Sequence, residues 1–166
     1  QRYPHPNPAT LRLVKAQIAA AGPRLIDFGC GSGRYARVLL DETPARVIGY
    51  DVSPVALERL RRNCGHHVAQ DRLLPLGGGL GALRQAALAW GGIDLALLLF
   101  GVLGHVPGRD GRREVLTALR QVLRPGGRIV LSVPNAHQRF RRERRETAAM
   151  ADRDGLEPGD IVYTRR

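Results

Sequence analysis

The sequence predicts an α/β protein with a doubly wound, mostly parallel Rossmann-like sheet. Short apolar runs alternate with amphipathic stretches of helical length, which is the pattern of repeated βα units. The first apolar run ends in a turn with Gly29, Gly31 and Gly33 at every second position. A Pro-Gly-Gly turn at residues 125–127 precedes the last apolar run. Right-handed crossovers between such units would place the strands side by side in one sheet.

Local start and stop signals mark the elements of the first half. Pro8 suits the first turn of a helix, and the Gly-Pro pair at residues 22–23 ends that helix. Ser53 and Pro54 form the N-cap and first position of another helix. We therefore expect helices over residues 8–21, 33–42 and from 54 to about 64, and strands over residues 24–28, 46–50 and 66–69.

The second half continues the alternation. Glycines at residues 77–79 and 91–92 bracket a short helical pattern, and a continuous apolar run over residues 93–100 reads as a buried parallel strand. An amphipathic helix follows, and the Pro-Gly-Gly turn ends it. We expect the next strand over residues 128–133, an arginine-rich helix over residues 137–150 and a further strand over residues 160–164.

Composition limits the class of protein. The 166 residues are 43% hydrophobic and carry a net charge of +11, which suits one domain with a sizeable core. No apolar run approaches the ~20 residues of a membrane span, so we expect no membrane partner. Cys30 and Cys64 match neither a disulfide framework nor a metal motif, so we expect a reduced, cytoplasmic protein without metal ligands. The arginine excess permits a nucleic-acid partner, but the charge is scattered.

The register of the glycine turn distinguishes two kinds of nucleotide site. The dinucleotide fingerprint is G-x-G-x-x-G, and its third glycine would fall at Arg34. The observed pattern is D-x-G-x-G-x-G, beginning at Asp27. A carboxylate at this turn suits a cationic, hydroxyl-rich ligand better than a pyrophosphate. Asp51 ends the next strand, where a carboxylate can accept ribose hydroxyls. A dehydrogenase, or a turn whose glycines serve packing alone, remains an alternative.

These residues, together with L-x-P-G-G before the last strand, resemble the class I S-adenosylmethionine-dependent methyltransferases of the type 11-like kind, over roughly residues 20–135. The resemblance implies S-adenosyl-L-methionine as cofactor and S-adenosyl-L-homocysteine as product. It implies that the glycine loop passes under the methionine part, that Asp51 holds the ribose and that Val52 packs on the adenine. It also implies that Asp71 accepts the adenine amino group beside the backbone nitrogen of Arg72. The candidate cofactor-binding residues are Asp27, Gly29, Cys30, Gly31, Gly33, Asp51, Val52, Asp71, Arg72 and Phe100.

His105 is the candidate catalytic residue. It lies in the loop after the fourth strand, beside the expected methyl group, where it could remove a proton from the acceptor. The alternative is a histidine that only shapes the pocket. Residues 100–103 read Phe-Gly-Val-Leu, so the Asn-Pro-Pro-Tyr or Asp-Pro-Pro-Tyr signature of amino-group DNA methyltransferases is absent there.

The sequence leaves the methyl acceptor open between a small metabolite and tRNA. A weaker resemblance to the wobble-uridine tRNA methyltransferases rests on Arg2-Tyr3, on G-C-G-x-G-x-Y over residues 29–35 and on Arg-Arg at residues 112–113. That branch tends to have His-His where this chain has Gly104-His105. A non-catalytic S-adenosylmethionine-binding module or partner subunit is the alternative from another class. The oligomeric state stays open.

The predicted organisation is a single methyltransferase domain over residues 1–166. It comprises an N-terminal segment and helix (1–22), a cofactor-binding core (23–135) and a C-terminal helix with an incomplete edge (136–166). Members of the family usually close the sheet with an antiparallel hairpin. Because only 31 residues follow residue 135, we expect that hairpin to be missing or incomplete.

Overall fold

Five parallel strands form the centre of the molecule, with helices on both faces. A computed structural model describes residues 5–133. The strand order is β3-β2-β1-β4-β5, and every pairing is parallel, which confirms the predicted fold class. The elements are α1 (Pro8–Ala21), β1 (Arg24–Phe28), α2 (Arg34–Glu42), β2 (Arg46–Tyr50), α3 (Pro54–Asn63), α4 (Gly65–Ala69), β3 (Leu73–Leu76), α5 (Leu80–Ala89), β4 (Ile93–Leu98), a 3-10 helix (Val102–His105), α6 (Arg109–Val122) and β5 (Leu123–Leu131).

Alternate residues of the central strand face two separate hydrophobic cores. Leu25 of β1 packs with side chains of α1, α2 and α3, whereas Ile26 packs with side chains of α5 and α6. Both side chains are fully buried. Successive side chains of a strand point to opposite faces of the sheet, so a strand covered on both faces buries all of them. The order of the strands reverses between β1 and β4. Ligands of doubly wound sheets bind beside such a reversal, at the carboxyl ends of the strands.

Side chains cap the starts of two helices, one of them the predicted cap Ser53. The Asn7 side chain accepts a hydrogen bond of 3.0 Å from the Thr10 N–H at the start of α1. Ser53 caps α3 by accepting from the Ala56 N–H at 3.3 Å. Each of these caps satisfies an N–H that the helix itself leaves unpaired.

The third strand is where the sequence interpretation is wrong. Residues 65–69, predicted to contain a strand, form the short helix α4, and β3 is Leu73–Leu76 instead. The sequence Leu-Leu-Pro-Leu pairs with β2 from Val47↔Leu73 to Tyr50↔Leu76. Pro75 is tolerated because β3 lies at the edge of the sheet. Asp71 therefore precedes β3, at the amino end of the strand rather than at its carboxyl end.

The bounds of β4 and β5 also differ from the predicted ones. β4 ends at Leu98 because Phe100 has a φ of 63°, which no extended strand adopts. β5 begins at Leu123, which pairs with Ile93, and the next pair is Leu95↔Arg128. The Pro-Gly-Gly turn is therefore an irregularity inside β5 rather than a turn that precedes the strand.

A buried carboxylate joins the amino ends of three strands. Asp94 is 3% exposed. It accepts hydrogen bonds from the Arg24 backbone N–H at 3.0 Å, from the Arg24 guanidinium at 3.2 Å and from Arg124 at 3.1 Å. These bonds outweigh the desolvation cost and lower the pKa of Asp94.

Several expectations fall outside the described residues. These are the helix over residues 137–150, the strand over residues 160–164, the incomplete C-terminal edge and the Arg2-Tyr3 stretch. Within residues 5–133, no helix combines the length and the apolar character that crossing a bilayer requires. The cytoplasmic location and the division of the chain into segments stay predictions.

Candidate functional site

A cavity of about 1030 Å³ opens at the carboxyl ends of β1, β2 and β4. It lies beside the strand-order reversal, where a ligand is expected. Its volume is at the upper end of the roughly 300–1,000 Å³ typical of small-molecule pockets, so it has room for a cofactor and part of a second molecule. The predicted site residues that line it are Asp27, Gly29, Cys30, Gly31, Asp51, Val52, Phe100 and His105.

The loop between β1 and α2 folds tightly because of its glycines. The N–H groups of Gly29 and Cys30 both donate to the Tyr50 carbonyl, at 2.8 and 3.0 Å. Gly29 has a φ of 73°, and a Cβ there would lie 2.1 Å from a Val102 methyl carbon. This glycine therefore lets the loops after β1 and β4 meet. Gly33, at the start of α2, is buried against Leu60 and does not line the cavity.

Gly31 has a different environment from the other two glycines. Its φ is 57°, and a Cβ there would meet no atom within 4 Å. Packing therefore does not account for this glycine. It lines the cavity, and the missing side chain leaves room for a ligand against the backbone.

Asp51 holds the loop in place while facing the cavity. One carboxylate oxygen accepts a hydrogen bond from the Gly31 N–H at 2.8 Å, and the other accepts from the Ser53 N–H at 2.9 Å. Each carboxylate oxygen has a second lone pair, so Asp51 retains acceptor capacity for ligand hydroxyls. The neighbouring Val52 is 80% exposed and offers an apolar surface to the same cavity.

Asp27 is an unusual carboxyl group because it is buried at the bottom of the cavity. It is 4% exposed, and burial raises its pKa to about 7, with a smaller contribution from the charge of Asp51. The positive charge of Arg34 acts in the opposite direction. Near neutral pH this group is therefore partly protonated, and a cation bound beside it would favour the ionised form.

Phe100 and Arg34 form one wall of the cavity. The Arg34 guanidinium carbon lies 4.3 Å from the centre of the Phe100 ring, which is a cation–π contact. Phe100 occupies the left-handed backbone region, a strained state for a residue with a side chain. The Ser132 hydroxyl accepts hydrogen bonds from the Phe100 and Gly101 N–H groups, at 2.6 and 3.3 Å, and so holds the turn.

His105 and Cys30 complete the predicted cavity residues. His105 ends the 3-10 helix Val102–His105, is exposed and faces the cavity, so an acceptor can reach it. Burial raises the pKa of the Cys30 thiol above its usual range, which leaves it a small neutral side chain rather than a nucleophile.

Asp71 and Arg72 lie elsewhere. Both precede β3, at the amino end of the sheet, and neither lines the cavity. The Arg72 guanidinium donates to the carbonyls of Leu40, Thr43 and Ala45 at 2.7–3.0 Å, which fixes the end of α2. Their proposed contacts with adenine were therefore misplaced, because the strand that should carry them begins only at Leu73.

The structure adds cavity residues that the sequence reasoning missed. Leu80 begins α5 after the triple glycine, at the carboxyl end of the true β3. Recognising Leu-Leu-Pro-Leu as an edge strand could have identified it. Arg34, which in the sequence only excludes the dinucleotide pattern, also lines the cavity. The other newly found lining residues are Phe28, Ser32, Tyr35, Tyr50, Leu99, Val102, Gly104, Val106, Pro107 and Val115.

Comparisons with known proteins show a methyltransferase domain. A family model described as a methyltransferase domain matches residues 26–129. The trans-aconitate 2-methyltransferase of Streptomyces coelicolor is 34% identical over 120 residues, covering 70% of this chain and 36% of the relative. A ribosomal protein L11 methyltransferase of Vibrio cholerae is 28% identical over 131 residues, covering 77% of this chain and 39% of the relative. The chain thus spans about two fifths or less of the length of the curated relatives it matches.

Solved structures show the same fold. The CcbJ methyltransferase from Streptomyces caelestis has a TM-score of 0.62 at 24% identity, covering 79% of this chain and 56% of its own. The glycopeptide N-methyltransferase MtfA, solved with S-adenosylmethionine, has a TM-score of 0.59 at 19% identity, covering 74% of this chain and 52% of its own. With the motif, the cavity and the match over residues 26–129, these findings lead to one conclusion: this chain belongs to the class I S-adenosylmethionine-dependent methyltransferase family.

Proposed function

We propose that this chain binds S-adenosyl-L-methionine in the described cavity and transfers its methyl group to an acceptor bound beside His105. The observation that carries the proposal is the pairing of two carboxyl groups, Asp27 and Asp51, around the open backbone of Gly31. A ligand with a cationic centre and vicinal hydroxyls complements both carboxyl groups at once. When bound, the cofactor supplies an electrophilic methyl group on a sulfonium.

Each residue has a role that its surroundings support. Asp27 offsets the positive charge of the cofactor, and Asp51 accepts the ribose hydroxyls. Gly31, with the small Cys30 beside it, gives the methionine part access to the backbone. Val52 packs on the adenine, which gains apolar contact by covering this exposed side chain.

The acceptor side of the cavity carries Phe100, Arg34 and His105. In-line methyl transfer requires mainly that the nucleophile be aligned with the methyl carbon. Phe100 supplies a wall for this alignment, and His105 removes a proton where the nucleophile carries one. The Arg34 guanidinium favours an acceptor with a carboxylate or phosphate group. We therefore favour a small anionic metabolite over tRNA; one relative is named for methylating trans-aconitate, a carboxylate.

Cofactor binding is tested with a pair of glycine variants. Gly31 and Gly126 both have a positive φ, 57° and 80°, and a Cβ on either would meet no atom within 4 Å. Gly31→Ala and Gly126→Ala therefore impose a similar backbone cost of about 1–2 kcal/mol, but only Gly31 lines the cavity. We expect isothermal titration with S-adenosylhomocysteine to give binding to the wild type and Gly126→Ala, and at least tenfold weaker binding to Gly31→Ala. Equal binding by the two variants, or no binding by the wild type at millimolar ligand, contradicts the proposal.

Catalysis and the acceptor are tested separately. Labelled S-adenosylmethionine is incubated with the full chain and either a metabolite extract or bulk tRNA. Label in small molecules supports the proposal, and label in tRNA assigns the acceptor to the alternative class. Binding of the cofactor without transfer to either pool contradicts both proposed acceptor classes. Arg34→Gln should then raise the KM for an anionic acceptor by a larger factor than it weakens S-adenosylhomocysteine binding.

A further inference from the structure

Three metal-ligating side chains meet on the surface, outside the cavity. Asp41 lies near the end of α2, and His66 and His67 lie on α4. One ligating atom of each lies within 4.8 Å of the others. His67 Nε2 is 2.8 Å and His66 Nε2 is 3.8 Å from the same Asp41 oxygen, Oδ1. The two imidazole rings lie 3.7 Å apart between centroids. None of these residues lines the described cavity.

These distances are close to those of a metal site. Zinc binds imidazole nitrogen at ~2.0–2.1 Å and carboxylate oxygen at ~2.0–2.2 Å in tetrahedral geometry, so two ligand atoms of one ion lie about 3.3 Å apart. The two observed separations from Asp41, 2.8 and 3.8 Å, fall on either side of that value. Shifts of about half an ångström by the exposed Asp41 and His66 side chains would bring both of these separations to that value. The ligating nitrogens of His66 and His67 lie within 4.8 Å of each other.

The two histidines differ in how firmly they are held. The side chain of His67 is 4% exposed, so packing fixes the direction of its Nε2 toward Asp41. The side chains of His66 and Asp41 are 62% and 48% exposed, which leaves the ion an approach from solvent and a fourth position for water. His67 Nδ1 has no hydrogen-bond partner. The site therefore lacks the outer hydrogen bond that strengthens most imidazole ligands, and we expect moderate rather than tight affinity.

We propose that Asp41, His66 and His67 bind a divalent transition-metal ion of the zinc type, which clamps α4 to the end of α2. The ligand types support this choice, because two imidazoles and one carboxylate suit zinc and its neighbours better than magnesium or calcium. The ion would add to the fixation that Arg72 provides at the same end of α2. An ion that binds the folded chain but not the unfolded chain would raise the free energy of unfolding by mass action.

The test uses the untagged full chain, dialysed against a chelator and then titrated with Zn²⁺ by calorimetry and with Co²⁺ by visible absorption. His66→Gln is the informative variant, because the His66 side chain is 62% exposed and contacts only Asp41 and the His67 ring within this cluster, so the fold should persist. His105→Gln is the matched control, an exposed histidine outside the cluster. Circular dichroism verifies that both variants are folded.

We expect one Zn²⁺ per wild-type chain, a tetrahedral Co²⁺ spectrum and a higher Tm with Zn²⁺. We expect His66→Gln to bind Zn²⁺ at least about tenfold more weakly and to lose most of the Tm rise, while His105→Gln behaves like the wild type. Equal Zn²⁺ affinity in the wild type and His66→Gln, or no saturable binding below 100 µM (~5.5 kcal/mol), overturns the proposal. In that outcome the cluster is only the hydrogen bond between His67 and Asp41.

Discussion

Buried Asp27 makes a specific pH dependence of cofactor binding the sharpest prediction. In the free chain its pKa is raised to about 7, first by burial and then by the charge of Asp51. A cationic ligand beside the carboxyl favours the ionised form and lowers that pKa. Binding must therefore release protons, and affinity must rise with pH until Asp27 is ionised in the free chain.

The magnitude follows from the ionised fraction. With a pKa of 7, about one eleventh of Asp27 is ionised at pH 6 and about ten elevenths at pH 8, so the Kd should fall about tenfold between them. At pH 7 binding should release about half a proton. Titration calorimetry with S-adenosylmethionine, in two buffers of different ionisation enthalpy at each pH, measures both quantities.

Asp27→Asn removes the titrating group and should give weaker binding with a flatter pH profile. His105→Gln is the control, because it removes a histidine that lines the same cavity and should leave the slope unchanged. A wild-type Kd that is constant from pH 6 to pH 8 would refute the reasoning. So would a slope that survives in Asp27→Asn, since that slope would belong to the ligand.

Two further predictions concern other carboxylates. Asp51→Asn should weaken S-adenosylhomocysteine binding at least about tenfold, because it removes the negative charge and replaces one of the two oxygens that accept from the Gly31 and Ser53 N–H groups by an amide donor. Asp71→Ala should change the affinity less than twofold, because Asp71 is exposed and lies before β3. Titration calorimetry on the two variants measures the difference, and equal losses would contradict the described geometry. Asp94→Asn should lower the free energy of unfolding by about 3 kcal/mol at pH 7 in urea titrations, because it leaves Arg24 and Arg124 without their buried partner. Because the pKa of Asp94 is lowered, its contribution to the free energy of unfolding is present above the unfolded-state pKa and is lost as the pH falls through the folded-state pKa. An unchanged urea midpoint in Asp94→Asn at pH 7 would contradict this prediction.

The sequence was most informative where local chemistry decides the structure. The glycine turn after β1 requires positive φ at alternate positions, Pro8 lies in the first turn of α1, and Ser53 caps α3. These signals depend on a few adjacent residues, so the sequence predicts α1, β1, β2 and the start of α3 closely. The amphipathic period similarly identifies α6, where Val115 and Leu119 are buried.

Elements decided by distant pairing were harder to predict. Leu73–Leu76 is short and contains Pro75, and it becomes a strand only because β2 offers it an edge. Because the sequence predicts this strand over residues 66–69 instead, it assigns the adenine contact to Asp71, which follows those residues. The cluster of Asp41, His66 and His67 has no spacing of a metal motif, since packing of α2 and α4 alone brings its members together.

Asp27 and Asp94 are buried acids near opposite ends of the central strands, and their energetic effects are opposite. Asp94 has bonded arginine partners and a lowered pKa, so its charge stabilises the folded chain. The folded-state pKa of Asp27, about 7, lies above the unfolded value of 3.8. Its favourable contribution to the free energy of unfolding is therefore complete below pH 3.8 and is lost as the pH rises through 7. A shift of about three units corresponds to roughly 4 kcal/mol lost at pH 8. Asp27→Asn should therefore raise the free energy of unfolding at pH 8 while it weakens cofactor binding. Opposite effects on stability and binding are expected of a residue that serves ligand binding rather than folding.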